Sequence, residues 1–197
     1  MPTTTVALPC IAHGTANLAF AQLVANAATT RVGTTATLTM LATATLATGD
    51  NCLIQGHDLD EYNGVFAITV ASGTTITYVI EQDPGANSAV TVATVDRVTL
   101  SAAMDVSTGY GGAVLVAVQN SAIGPTAPAQ VWVGQSNVDV PANYFWRQIF
   151  SGDTVARSVA SAKIPMPMGD RFYKVAVCRN TGQPVDIATI ASHTTAG

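Results

Sequence analysis

Residues 64–80 read GVFAITVASGTTITYVI, and this stretch decides the fold class. Its first half places Phe66, Ile68 and Val70 at alternate positions, and its second half alternates Thr with Ile and Tyr. A period of two residues is the pattern of a β-strand with one buried face and one wet face. Gly73 tolerates the backbone of a tight hairpin turn, so the stretch predicts two antiparallel strands.

The same alternation recurs along the chain and predicts an all-β protein. The predicted strands cover 35–46, 52–54, 64–70, 74–80, 90–100, 113–119, 129–134, 143–151, 154–160, 171–179 and 184–190. Turn-forming Gly, Pro and Asn residues separate these runs, as they do in sandwiches and jelly rolls. We therefore expect a small antiparallel β-module at 33–102 and a β-sandwich-like or jelly-roll-like domain at 103–197.

The N-terminal segment, residues 1–32, leaves two alternatives open. A short helix can begin after Thr15, which is a suitable N-cap. The apolar residues that would line one side of this helix are Leu18, Phe20, Leu23 and Val24. An extended arm is the other alternative, because Thr and Ala are abundant and charged pairs are absent. No basic segment precedes an apolar core here, so we expect synthesis in the cytoplasm without a secretion signal.

The charge composition excludes two classes of partner. Charged residues make up 10% of the 197 residues, against about 25% in average soluble domains. With 8 Lys and Arg against 12 Asp and Glu, the chain carries a net charge of −4 and cannot neutralise many phosphates. We expect neither nucleic acid nor a membrane as partner, because Pro, Gly and polar residues also interrupt both charge-free stretches, 1–30 and 106–138.

Three segments in the first half of the chain share a pattern with a known module. They are 49–56 (GDNCLIQG), 61–70 (EYNGVFAITV) and 74–80 (TTITYVI). Their order and spacing resemble the pattern G-D-x-V-x-I-x-G, Y-N-G-x-F-x-V and T-x-F-T-Y of a small β-module in structural proteins of tailed bacteriophages. The sequence departs from this pattern at Cys52, Leu53 and Ile76, but these are apolar exchanges at positions expected in the core.

Each residue that carries this resemblance has a structural role that needs no catalysis. The residues are Gly49, Asp50, Gly56, Tyr62, Asn63, Gly64, Phe66 and Tyr78. Gly49 and Gly64 allow turns that a Cβ would oppose, and Asp50 and Asn63 can bond their own backbone in Asx-turns. We expect Tyr62 and Phe66 to lie on one strand face and to pack in the core of the module.

The resemblance implies a non-enzymatic virion protein, made in the host cytoplasm and then built into the particle. Within that class we expect a capsid cement (decoration) protein that binds the major capsid protein or other virion subunits. A homo-oligomer, such as a trimer, suits a charge-poor protein whose stability comes partly from association. A tail, neck or fibre component is the nearest alternative, and a glycan-binding receptor module is the alternative from another class.

The densest polar cluster is the run from His57 to Glu61, with the sequence HDLDE. It does not fit a calcium-binding EF loop, because, counted from Asp58, the fifth position is Tyr62, the Gly comes one place late and the twelfth position is Thr69. We interpret it as a solvated turn between two strands. Of the two other histidines, His193 falls in an expected C-terminal tail, 192–197, and no G-x-S-x-G elbow is present.

The remaining candidates for chemistry also have plain structural interpretations. The three cysteines, Cys10, Cys52 and Cys178, are far apart and odd in number, so we expect small apolar side chains and neither a disulfide framework nor a zinc site. The two glutamates, Glu61 and Glu81, lie in no context typical of a glycosidase. We therefore expect no catalytic, cofactor or metal site.

The aromatic residues Trp132, Tyr144 and Trp146 are the remaining candidates for binding. Aromatic side chains exposed on a β-sandwich can stack on sugar rings, which would make a glycan-binding module. The preferred interpretation is that Trp132 and Trp146 fill the core on facing strands, with Phe145 and Arg147 on the other face. The sequence alone leaves both interpretations open.

Overall fold

A computed structural model describes residues 3–16, 22–43, 45–106, 109–140, 143–166, 171–178 and 185–196. The strands in chain order are β1 (Thr3–Ala16), β2 (Leu23–Val24), β3 (Thr30–Val32), β4 (Thr35–Thr39), β5 (Asn51–Gln55), β6 (Gly64–Ser72), β7 (Thr75–Val79), β8 (Thr94–Leu100), β9 (Met104–Asp105), β10 (Gly109–Asn120), β11 (Gln130–Ser136), β12 (Phe145–Ser151), β13 (Val159–Met166), β14 (Phe172–Cys178) and β15 (Val185–Ala196). Apart from a 3-10 turn at Asp60–Tyr62 and a 3-10 residue at Asn143, these residues form no helix. The all-β prediction is confirmed.

The chain divides into two compact units. The central unit comprises Phe20–Val98 and Val140–Tyr144. The terminal unit comprises Met1–Ala19, Thr99–Asp139 and Phe145–Gly197. Each unit has a hydrophobic core of its own, as independent domains do.

In the central unit the strands pair in the order β3-β4-β7-β6-β5-β8, with β2 also paired to β8. All of these pairs are antiparallel, and β6 and β7 form the hairpin that residues 64–80 predict. The register sets Tyr78 between Ala36 of β4 and Ile68 of β6, so alternate apolar side chains meet on one face. Burial of that face explains why the Thr-rich alternation folds as a sheet.

In the terminal unit one sheet has the order β1-β15-β10-β13, and β12, β11 and β14 pair side by side in another. The core cluster takes side chains from both sheets and consists mainly of aliphatic residues, among them Val116 and Val118 of β10 and Val175 and Val177 of β14. Tyr173 is buried with them, which confirms that this face of β14 points inward. This arrangement is the sandwich-like layering expected from short antiparallel strands.

Several outer strands carry interruptions of regular pairing. Register shifts interrupt β1 near Ile11, and another shift interrupts the pairing of β11 with β12 beside Trp132. Strand β13 contains Lys163 and Pro165, and β3 has three residues, including Arg31. Such interruptions are typical of strands at the edge of a sheet.

Four sequence predictions about strand extents are wrong. The run 90–100 is a strand only from Thr94. The run 35–46 ends as a strand at Thr39, because Met40 makes only an isolated bridge to Ala25 and the chain then turns away. The run 154–160 is a turn at its start, and the strand is Val159–Met166. The expected tail at 192–197 is part of β15 up to Ala196, where the backbone pairs with β1.

For the described part of residues 1–32, the structure decides between a short helix and an extended arm. Thr3–Ala16 is a strand paired antiparallel with β15, so this part of the segment is extended. Leu23 and Val24 form β2, and a helix through them is therefore wrong. Leu18 and Phe20 lie outside the described residues.

Candidate functional site

Gly49 and Asp50, the first residues of the motif, form a turn that an ion pair stabilises. Gly49 has a φ of +94°, a conformation that an L side chain rarely adopts, so a glycine is required there. Asp50 Oδ2 accepts a hydrogen bond from the backbone N–H of Ala47 at 2.9 Å. Its Oδ1 lies 2.8 Å from a guanidinium nitrogen of Arg97 in β8, an ion pair that the sequence did not reveal.

Asn63 closes the loop between β5 and β6 through its side-chain amide. Its Oδ1 accepts from the backbone N–H of His57 at 2.9 Å, and its Nδ2 donates to the carbonyls of His57 and Leu59 at 3.1 and 3.2 Å. These bonds reach back four to six residues, so the predicted Asx-turn on its own backbone is replaced by a wider closure of the loop. Both polar ends of the amide are used, and the residue is therefore structural.

Tyr62 lies in the core, as predicted. The prediction that it shares a strand face with Phe66 is wrong, because Tyr62 belongs to the 3-10 turn and Phe66 to β6. It is fully buried, and its hydroxyl donates to the carbonyl of Ala86 at 2.6 Å. Phe66 instead packs on Tyr78, with ring centroids 4.8 Å apart. The aromatic residues of the motif are thus core residues on three separate elements.

The run from His57 to Glu61 is not simply a solvated turn, because His57 is only 8% exposed. Its Nδ1 lies 2.9 Å from Oγ of Ser88, which is completely buried. The Ser88 hydroxyl donates to Asp58 Oδ1 at 2.6 Å, so its oxygen accepts from Nδ1–H of His57. Tyr78 Oη lies 3.5 Å from Nε2 on the other side of the ring.

The surroundings of this network shift the pKa of each titratable member toward the form that is present at neutral pH. Desolvation lowers the pKa of His57, although the nearby Asp58 carboxylate opposes the effect. The hydrogen bond from Ser88 lowers the pKa of Asp58. Burial also raises the pKa of Tyr78. At neutral pH the network therefore holds a neutral imidazole, a carboxylate and a neutral phenol.

The order of the three groups is wrong for activating a nucleophile. In a catalytic triad the serine donates to the histidine and the carboxylate orients that histidine. Here Ser88 stands between His57 and Asp58, and its proton is directed to the carboxylate. The network instead ties the loop after β5 to the segment before β8, two parts of the chain that are 31 residues apart.

The other polar candidates lie apart from each other. His193 pairs in β15 with Val6 of β1 and Gly112 of β10. Cys52 and Cys178 are fully buried, as small apolar side chains would be, whereas the Cys10 side chain lies outside the described part. Within the described ranges no three His, Cys, Asp or Glu side chains are grouped to hold a metal ion. These ranges also contain no helix long and apolar enough to cross a bilayer.

Trp132 and Trp146 lie on neighbouring strands of the terminal unit and not on facing strands. Gln148 of β12 is opposite Trp132 of β11, and Trp146 is opposite Gly134. Residues opposite each other in antiparallel strands share a face, so both indoles lie on the side that carries Gly134.

The core of the terminal unit lies on the other side of β11, where Val131 and Val133 are buried. Both tryptophans are half-buried, and neither belongs to that core cluster. The preferred sequence interpretation, core packing of both tryptophans, is therefore wrong, because short aliphatic side chains already fill the interior.

The remaining aromatic residues differ in exposure. Tyr144 belongs to the central unit and is 6% exposed, so it does not join the two tryptophans at a surface. Phe145 is 73% exposed and lies on the face of β12 opposite to Trp146, as predicted.

We call the outer side of β11, β12 and β14 around Trp132, Gly134, Trp146 and Lys174 the aromatic face. Lys174 is opposite Gly134 on β14, and its ammonium group lies 2.8 Å from Asp139 Oδ1. The face thus combines two indoles with a cation that is already neutralised.

The comparisons with known proteins add little to this geometry. No protein-family model matches the sequence, and a search of curated proteins finds no match. Among solved structures, the chain is similar to an isomalto-dextranase of Arthrobacter globiformis T6 complexed with panose, at 15% identity and a TM-score of 0.27. The alignment covers 91% of this chain and 36% of that chain, so this chain spans about a third of its length.

Proposed function

We propose that the protein is a non-catalytic virion structural protein of a tailed bacteriophage, and more narrowly a cement protein on the capsid surface. The observation that supports this proposal is that the motif residues act together as a fold framework. Tyr62, Phe66 and Tyr78 pack in one core, Asn63 closes a loop, and Gly49 adopts a conformation suited to glycine. The residues that carry the resemblance thus have structural roles, as residues that specify a module would.

The surface of the central unit is compatible with adhesion to other subunits. Val32 is 86% exposed and Leu41 is 81% exposed, although both are aliphatic. Exposed apolar side chains on a chain with few charges favour contacts driven by shape and apolar burial rather than by charge steering. The major capsid protein and further copies of this chain, for instance in a trimer, are the partners of this proposal.

Localisation on particles tests the proposal directly. Antibody labelling of purified virions should place the protein on the head, and particles that lack it should release DNA at a lower temperature. Adding the purified protein back should restore the release temperature. Labelling at the tail, neck or fibres would instead support the alternative virion role, and absence from purified particles would contradict both.

A salt titration tests the kind of contact. Binding to particles should persist at 1 M NaCl, where the screening length is about 3 Å. A variant with Val32→Thr and Leu41→Thr should bind more weakly, whereas Thr35→Ser, at the exposed polar position opposite Val32, should bind normally. Complete release by salt would show that charge, and not apolar contact, holds the protein.

A further inference from the structure

The indole of Trp146 lies flat on the sheet. A Cβ built on Gly134 would lie 2.9 Å from Cε2, 2.9 Å from Cζ2 and 3.0 Å from Cδ2 of that ring. Three adjacent ring atoms at nearly equal distances mean that the ring covers Gly134 with its face and not with its edge. One π face lies against the backbone and Nε1 is shielded from solvent, so the exposed part of this half-buried residue lies on the other face and the outer edge of the ring.

Trp132 extends this platform along the neighbouring strand. It lies two residues before Gly134 on the same side of β11, so it is a diagonal neighbour of Trp146. Diagonal pairs in a sheet are within reach of each other when the side chains are aromatic. The exposed amide of Gln148 lies opposite Trp132, and Gln130 approaches the indole N–H with its Oε1 at 3.4 Å. The platform is thus bordered by groups that donate and accept hydrogen bonds.

The charge balance around the platform indicates which ligand it suits. The ammonium group of Lys174 is paired with Asp139, and the guanidinium of Arg171 donates to Asp105 at 2.8 and 3.1 Å while it covers the ring of Phe172. Because carboxylates already neutralise both cations, a phosphate or sulfate group gains little here. A neutral ligand with many hydroxyl groups gains most.

We infer that the aromatic face of the terminal unit binds a neutral pyranose of an oligosaccharide, stacked on Trp146 and continued over Trp132. The C–H groups on one face of a pyranose ring carry a partial positive charge and meet the negative π face of an indole. The hydroxyl groups around the ring then bond the amides of Gln130 and Gln148 and the oxygens of Asp139. This site does not depend on the virion role and would give the particle or its subunit a contact with a glycan.

Tryptophan fluorescence measures this binding directly, because the two tryptophans of the chain are both in the proposed site. The full-length protein would be titrated with maltotetraose, cellotetraose, isomaltotetraose and chitotetraose. We expect a saturable change in emission with at least one of them, at a Kd of about 0.1–1 mM, as for a shallow site. Inositol hexakisphosphate, as the anionic control, should give no saturable change.

Substitutions then locate the site. Trp146→Ala should weaken binding of that tetrasaccharide about tenfold or more, and Trp132→Ala should weaken it less. Phe145→Ala, next in sequence but on the other face, should bind as the unchanged protein does. Isothermal calorimetry of these variants avoids dependence on the fluorophore that has been removed.

A second variant keeps the test valid if Trp146→Ala fails to fold. Gly134→Ala adds one methyl group under the indole and forces the ring away from its flat position, while both tryptophans remain. Its binding should fall and its emission spectrum should shift without sugar. No saturable binding of any of the four sugars to the unchanged protein would overturn the inference, as would binding that Gly134→Ala leaves at full strength. Neither result would bear on the location of the protein in virions.

Discussion

The two units use their aromatic residues in opposite ways. In the central unit Tyr62, Phe66 and Tyr78 are buried, and their packing fills the interior of the module. In the terminal unit the interior is mostly valine and isoleucine, and both tryptophans lie on the outer side of the sheet. Aromatic side chains thus fill the core of the central unit, whereas the tryptophans of the terminal unit lie outside its core.

The two units also differ in the polar side chains that they bury. The central unit buries His57 and Ser88, which bond each other; Ser88 also donates to Asp58, and the hydroxyl of Tyr78 lies 3.5 Å from the His57 ring. The core of the terminal unit is mainly aliphatic, with Tyr173 buried in it and Phe150 packed against it. Both indoles lie outside this core, although the N–H of Trp146 is shielded from solvent there as well.

The largest effect is expected when the aromatic core of the central unit is broken. Phe66→Ala should destabilise that unit by about 3–5 kcal/mol, because it removes a buried ring and its contact with Tyr78. Hydrogen exchange of the β6 and β7 amides, followed by mass spectrometry, measures the loss. A destabilisation below about 1 kcal/mol would mean that the ring is not a core residue.

The polar network should have the next largest effect. Ser88→Ala leaves Nδ1–H of the buried His57 without its acceptor and should lower the free energy of unfolding of the central unit by about 1–3 kcal/mol. Hydrogen exchange of the β6 and β7 amides at increasing urea concentration measures the loss. Ser72→Ala is the matched control, because its hydroxyl is exposed and bonds only the nearby Thr74. Equal effects of the two substitutions would show that the network contributes nothing to stability.

Acid should weaken the central unit through the same histidine. The folded state lowers the pKa of His57 below its ordinary value of about 6.5, so the unfolded chain binds more protons as the pH falls through that value. The stabilising contribution is complete above that pH and is lost as the pH falls from there toward the folded pKa. Hydrogen exchange at pH 7.5 and 5.5 should show a larger loss for the unchanged protein than for His57→Gln. If the unchanged protein and His57→Gln lost equal stability between these pH values, His57 would not be the group responsible.

The smallest effect is expected at the phenylalanine that the terminal unit exposes. Phe145→Ala should change stability by at most about 0.5 kcal/mol, because its ring is already in water. Tryptophan emission during denaturation reports this unit, since both tryptophans belong to it. A loss as large as that for Phe66→Ala would remove the contrast between the two units.

The sequence predicted most of the sheet framework, because the period-2 pattern records which face is buried. The hairpin of 64–72 and 75–79 and the inward face of β14 appear where the alternation places them. The pattern failed at 35–46, where Thr and aliphatic residues continue to alternate past Met40. Alternation cannot show that a neighbouring strand has ended, and Leu41 is consequently 81% exposed.

The candidate sites were harder to predict, because they depend on contacts between distant segments. His57 and Ser88 are 31 residues apart, and nothing in the run from His57 to Glu61 indicates a partner beyond Asp58. For Trp132 and Trp146, the signal that was available is the glycine at 134. A glycine within a strand often marks a close approach by another group, and here that group is an indole.

The edge strands of this protein are poor templates for pairing with a strand of another molecule. A strand of another molecule would find no regular row of backbone partners at these edges. Pairing is interrupted at β1 and β12, β13 contains a Lys and a Pro, and β3 has three residues. Growth of a continuous cross-strand ribbon, the first step toward fibrils, is thereby discouraged even at high local concentration. These edges therefore allow copies of the chain to be concentrated without pairing strand to strand.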